Sequence, residues 1–189
     1  MINDSLVVTC EDPKKGMVEY TISSLILDKS TLDLFWRKAS RYPTLFSREI
    51  KSNFKAFLSL LVDEDSAGKI YSKGVFWRID TPEEPLIGVF YMTDLELGVN
   101  ALVHFSFLDG RIRGRVPLAK AMIAKVFNDF PVARLSAELP AFVNARALKF
   151  VQELGFHKEG VKRKAAKFND SLFHVHLFGI LREEVSNGS

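Results

Sequence analysis

Cysteine is almost missing from this chain: Cys10 stands alone among 189 residues, so no internal disulfide can form. No apolar run approaches the roughly 18 residues that a membrane-crossing helix needs, and no basic-then-apolar leader opens the sequence. Charge of one sign is not in excess either, with 26 Lys and Arg against 23 Asp and Glu and a net charge of +3. That balance neither requires nor excludes an anionic ligand or nucleic acid. Internal repeats and low-complexity segments are absent as well. These absences lead to the expectation of a protein of the reducing cytoplasm without a membrane span. What is present is apolar mass: 47% hydrophobic residues, enough for one sizeable core, so 1–189 is read as a single domain.

Periodicity and breaks order the chain. Apolar and β-branched runs at 6–9 and 18–27 flank Asp12-Pro13-Lys14-Lys15-Gly16, which predicts an N-terminal hairpin. Ser30 or Thr31 then caps a helix to about Ser40, ended by Pro43. A second helix is expected over 48–62, with Ile50, Phe54, Phe57, Leu58 and Leu61 on one side, and a loop over 63–68. Three strands follow near 70–79, 86–95 and 101–108, separated by Pro82-Glu83-Glu84-Pro85 and Gly98-Val99-Asn100. Asp109-Gly110 turns the chain. Pro117 suits the first turn of a helix, where its missing N–H would have had no partner. Leu118, Met122, Val126 and Phe130 recur every fourth residue, with Ile123 and Phe127 beside them, until Pro131. A strand at 133–139, a short helix, and strands near 161–168 and 172–181 complete the order.

The short helix carries the most informative string: Asn144-Ala145-Arg146-Ala147, Phe150, Glu153-Leu154-Gly155-Phe156, then Glu159-Gly160. Asn can cap a helix start, and Gly after Leu154 accepts the left-handed conformation that ends one. Ala147, Phe150, Val151 and Leu154 between them predict a buried face. This string, N-x-x-A followed by L-G-F and E-G, resembles the C-terminal motif of the GCN5-related N-acetyltransferases, and most of all the branch that acetylates protein N-termini, ribosomal ones included. The resemblance, with looser matches upstream, covers roughly residues 70–182. It implies a mixed α+β fold, a mostly antiparallel twisted sheet of about six to eight strands flanked by about four helices. The sheet should splay between the family's fourth and fifth strands, here 101–108 and 133–139. Residues 1–69 would form a hairpin and helical pair on the acceptor side, 70–182 the coenzyme-binding core, and 183–189 a flexible tail.

The same resemblance implies acetyl-CoA as cofactor and transfer of the acetyl group to a primary amine, on a peptide or a small molecule, by direct attack on the thioester. Asn144 and Phe150 would contact the coenzyme. The main chain at Ser106, Phe107 and Leu108 would pair with its pantetheine arm. Its pyrophosphate would lie on the loop Arg111-Ile112-Arg113-Gly114-Arg115-Val116, where free N–H groups and the helix dipole favour an anion. The family pattern there ends in a small residue, and Val116 departs from it, leaving Gly114 as the small residue and Arg111, Arg113 and Arg115 to bind phosphate by charge. Many relatives carry a Tyr acid on the last helix; Val151 occupies that place here.

Candidates for the base are Glu138 and His104, with Asp109 read as the residue of an Asp-Gly turn. His174 and His176 share one strand face, but no Cys or carboxylate pair completes a ligand set, and no metal is expected. Lys162-Arg163-Lys164, with Lys167, lies beside Phe168 and could touch an acidic peptide or nucleic acid. Phe35, Trp36, Tyr42, Phe46 and Phe54 are either core or acceptor-site lining. Two other readings stay open: a catalytically degenerate binding or assembly module of the same fold, and a nucleic-acid-binding protein using the two basic stretches.

Overall fold

The computed structural model describes residues 5–12, 16–42, 45, 48–110, 112, 114–143 and 145–186. In chain order these form β1 (Leu6–Asp12), β2 (Gly16–Ser24), α1 (Lys29–Ala39), α2 (Arg48–Ser52), α3 (Phe54–Leu58), β3 (Val62–Glu64) and β4 (Ile70–Ser72). Next come β5 (Val75–Asp80), β6 (Gly88–Glu96), β7 (Asn100–Phe107), α4 (Arg115–Asp129), β8 (Arg134–Pro140), α5 (Ala145–Glu153), β9 (His157–Phe168), β10 (Ser171–Leu181) and α6 (Arg182–Ser186). Eight strands make one sheet in the order β1-β2-β5-β6-β7-β8-β10-β9, antiparallel throughout except for the parallel pair β7–β8. The expected mixed, mostly antiparallel sheet is present.

Each face of the sheet has its own core. On one, α4 presents Leu118, Met122 and Val126, with Ala119, Ile123 and Phe127 beside them, all buried, and α5 adds Val151. The predicted fourfold recurrence is therefore the packing stripe. On the other face Phe35 of α1 and Phe57 of α3 meet edge to face at 5.3 Å over Phe76, Val89 and Leu108. Trp36 and Phe54 pack against each other within that second cluster.

Several local expectations are corrected. Asp28, rather than Ser30 or Thr31, caps α1, its carboxylate accepting the Thr31 N–H at 2.8 Å. The single helix over 48–62 is two short ones, because Asn53 is extended and its side chain accepts from the N–H groups of Lys55 and Ala56, starting α3 afresh. The acidic stretch 63–68 is not a plain loop: β3 and β4 pair as a small separate hairpin around it. The strand expected over 70–79 breaks before β5, where Gly74 comes so close to β6 that a Cβ there would lie 2.1 Å from the carbonyl oxygen of Met92. After β10 the chain enters α6, with the Leu181 N–H held by Glu184 at 2.7 Å.

Gly74→Ala should therefore force β5 off β6. An overpacking cost of about 1–3 kcal/mol is expected, lowering Tm by about 2–4 °C per kcal/mol, measured by thermal unfolding.

Candidate functional site

The parallel pairing of β7 with β8 stops early. Asn100, Ala101 and Leu102 stand opposite Arg134, Leu135 and Ser136, and no pairing follows. Beyond that point β7 keeps β6 on one side as far as Phe107, and β8 keeps β10 on the other as far as Pro140. The two strands thus splay, and the β7 edge over residues 103–107 has no strand partner. The gap opens into a cleft of ≈ 530 Å³ lined by Phe105, Ser106 and Phe107 of β7, Arg115 and Val116 of α4, Arg146, Ala147, Phe150 and Glu153 of α5, with Tyr42, Leu45 and Val143 at its rim. Phe150 of α5 packs on the β7 side of the opening: its ring meets Phe105 and Phe107 edge to face at 5.8 and 5.7 Å.

One wall is the start of α4. Among the described residues no side chain caps this helix at Gly114, and its first N–H groups, less the one Pro117 lacks, suit an anion. Arg115 lies over the Phe107 ring at 5.4 Å and donates to the carbonyl oxygens of Asp109 and Gly110 at 3.3 and 3.2 Å. Its Nε is buried and has no partner among the described residues. An arginine on the cleft wall, held through Nη2 alone and set beside a helix start, fits a phosphate-bearing ligand. Gly114 has a different reason to be glycine. A Cβ there would sit 2.6 Å from Cβ and Sγ of Cys10, and the Cys10 thiol approaches the Gly114 carbonyl at 3.9 Å. Its small size is needed by packing against β1, and burial pushes the Cys10 thiol pKa up.

The sheet face away from α4 carries the polar candidates. His104 stacks on Tyr91 with ring centroids 4.4 Å apart, and its Nε2 is 3.2 Å from Thr93 Oγ1. Burial drives its pKa down to about 4 despite the carboxylates of Asp94 and Glu138, and pushes Tyr91 up to about 12. The Glu138 carboxylate receives the Lys162 ammonium at 2.5 Å across β10. Ser106, 8% exposed, is the one buried polar residue among those described.

Of the sequence-derived candidates, Ser106, Phe107, Arg115, Val116 and Phe150 meet at the cleft, and Gly114 adjoins it. Leu108 instead joins the α1/α3 core, facing a smaller cavity of ≈ 220 Å³. Arg111, Arg113, Asn144 and Phe46 lie outside the described residues. Sequence reasoning missed Leu45, Val143 and Glu153 as cleft walls; Arg146 and Ala147 were legible within the N-x-x-A string, and Tyr42 as an aromatic of the acceptor side. His174 is no isolated ligand: its Nδ1 accepts the Lys164 N–H at 3.0 Å. A second hollow of ≈ 600 Å³ at the far end of α4 is structural, since Arg182 donates there to the carbonyls of Phe127, Phe130 and Val132.

A mixed sheet parted in this way, with one helix starting in the opening and another wedged into it, is the fold of the GCN5-related N-acetyltransferases. Solved structures agree. RimJ from Mycobacterium smegmatis in complex with CoA-disulfide superposes with a TM-score of 0.70 at 14% identity, covering 97% of this chain and 90% of that one. A spermidine N-acetyltransferase chimera from Vibrio cholerae and hSSAT gives 0.69 at 14% identity over 88% and 98%. The Vibrio cholerae spermidine N-acetyltransferase with CoA and spermine gives 0.63 at 13% identity over 89% and 98%. No protein-family profile matches the chain.

Two measurements follow. Gly114→Ala should lower Tm, and Cys10→Gly added to it should recover part of the loss; an unchanged Tm in the single variant would remove the packing explanation. For His104 the folded pKa lies below the ordinary 6.5 of an unfolded imidazole, so the unfolded state binds the extra proton between about pH 4 and 6.5. Stability should rise through that window by up to about 1.4 kcal/mol per pH unit, and urea unfolding of His104→Asn should show a shallower rise.

Proposed function

We propose that the protein is an acetyl-CoA-dependent N-acetyltransferase acting on a primary amine, with a protein N-terminus as the acceptor. The observation that carries this reading is the unpaired β7 edge over residues 103–107, set between the start of α4 and the Phe150 wedge. An open strand edge offers main-chain hydrogen bonds to an extended, amide-bearing chain, the requirement of a pantetheine arm. Solved relatives of this fold are acetyltransferases, two of them holding CoA or its disulfide. The N-x-x-A and L-G-F string favours the branch acting on protein N-termini.

The coenzyme, when bound, supplies an acetyl thioester. The chain's residues do the rest. Arg115 and the uncapped N–H groups of α4 hold negative charge at one end of the cleft, with Arg111 and Arg113 placed in the same loop by sequence. Phe105, Phe107 and Phe150 keep water from the middle. Asn144, at the start of α5, would contact the same ligand. On the opposite face the Glu138 carboxylate, anchored through Oε1 to Lys162, would take a proton from the incoming ammonium so that the free amine can attack; the C–N bond forms as the C–S bond breaks, and the proton the amine then loses goes to the departing thiolate. His104, neutral through burial, lines that path beside Thr93 and is a weak proton acceptor at neutral pH.

Isothermal calorimetry should show one acetyl-CoA per chain, and silence at millimolar ligand would sink the proposal. Arg115→Ala should weaken that binding by about ten- to a hundredfold, the loss of a charge-assisted hydrogen bond. Glu138→Gln should lower kcat by about a hundredfold or more and leave acetyl-CoA affinity unchanged. Binding without turnover over a panel of amines and peptides would instead favour a degenerate binding module.

A further inference from the structure

The cleft and the adjoining strand differ in charge from a site for a polycation. Among the described residues, Arg115 and Arg146 stand on the cleft wall against one acid, Glu153, which faces Lys149 at 3.5 Å. Glu138 is engaged by Lys162. No carboxylate described on the cleft wall is left to hold the second ammonium of a polyamine.

Past β8 and β10 from the opening runs β9, the last strand of the sheet, with exposed cations. Arg163, Lys164 and Lys167 are exposed and make no ion pair among the described residues; of the acids flanking them in sequence, Glu159 is held by Arg134 and Asp170 lies in the hairpin turn. Two contacts tie this segment to β8 and the turn after it: Lys162 reaches Glu138, and Phe168 stacks at 4.5 Å on Phe142, the neighbour of the cleft residue Val143. At about 3.3 Å per strand residue, the cations between those ties lie along about 20 Å of β9. A bulge sets their direction. Between the pairs Lys162↔Val175 and Ala166↔Phe173, residues 163–165 stand against His174 alone, and Lys164 takes a left-handed φ of 49° with its N–H on the His174 ring. A lysine seldom adopts that region, so the surrounding structure holds it there.

We infer that the acceptor amine belongs to an acidic peptide, whose carboxylates following the N-terminus are read by Arg163, Lys164 and Lys167 of β9. This rests on the acetyltransferase reading for the identity of the amine but not for the binding surface. A peptide fits better than nucleic acid because Phe168, the aromatic residue within the run, is stacked under Phe142 and is not free to stack on a base.

The test is fluorescence anisotropy on the full chain with peptides labelled at the C-terminus, so that the amine stays free. Ser-Asp-Glu, Ser-Asn-Gln and Ser-Lys-Arg sequences of equal length are compared, with spermine as competitor and a single-stranded oligonucleotide alongside. The acidic peptide should bind about tenfold more tightly than the neutral one, the sum of three weak exposed charge contacts. That margin should vanish near 0.5 M salt, where screening is short-ranged. It should also vanish in Arg163→Glu/Lys164→Glu/Lys167→Glu, with Tm and acetyl-CoA binding unchanged, and persist in Arg163→Lys. Equal binding of acidic and neutral peptides, tighter binding of the basic peptide, displacement by spermine at peptide concentrations, or tighter binding of the oligonucleotide each overturns the inference. If calorimetry finds no acetyl-CoA binding while the acidic preference stands, the enzyme reading fails and the peptide surface remains.

Discussion

Everything proposed for this protein depends on three residue pairs. Asn100, Ala101 and Leu102 join β7 to β8, and past them the sheet divides. A buried strand edge without a partner is costly, since each main-chain N–H and C=O must find a bond somewhere. Side chains occupy the opening instead: Phe150 stands against both Phe105 and Phe107 of β7, and Val143 and Ala147 line the same cleft. The open edge follows from the gap.

The seam itself is reinforced at its closed end. Ser136 donates to the Asn100 side chain at 2.8 Å across the pair, and Arg134 reaches Ser136 and Glu159. Arg182 gathers the last carbonyls of α4 and the turn into β8, a cation placed where the helix dipole is negative. One end of the β7–β8 junction is thus bound by charge-assisted bonds, while the other is left to a ligand. Function and rigidity are divided along the same two strands.

Much of this was legible in the residues. The fourfold apolar recurrence in α4 and the Leu154-Gly155-Phe156 stop both have the expected form, with Gly155 at a φ of 98°. Local chemistry that depends on distant partners was not legible. Gly114 reads as part of a phosphate loop, yet its neighbour is Cys10, 104 positions away in sequence. His104 reads as a base, yet its burial against Tyr91 is a cross-strand fact. The split at Asn53 could have been found: Asn is a strong N-cap, and a cap inside a helical pattern signals a restart. For the cleft, the string from Asn144 to Phe156 located one wall, whereas Leu45 comes from a segment whose meeting with that wall no local pattern records.

The divided sheet has a thermodynamic corollary. Main-chain groups on the β7 edge are rungs that the polypeptide does not supply to itself, so whatever lies along them completes the sheet. A molecule that binds there and not to the unfolded chain adds RT ln(1 + [L]/Kd) to the folding free energy, about 2.7 kcal/mol at a hundredfold excess over Kd. Such a protein is least stable when its ligand is scarce, and its abundance then becomes a record of ligand supply.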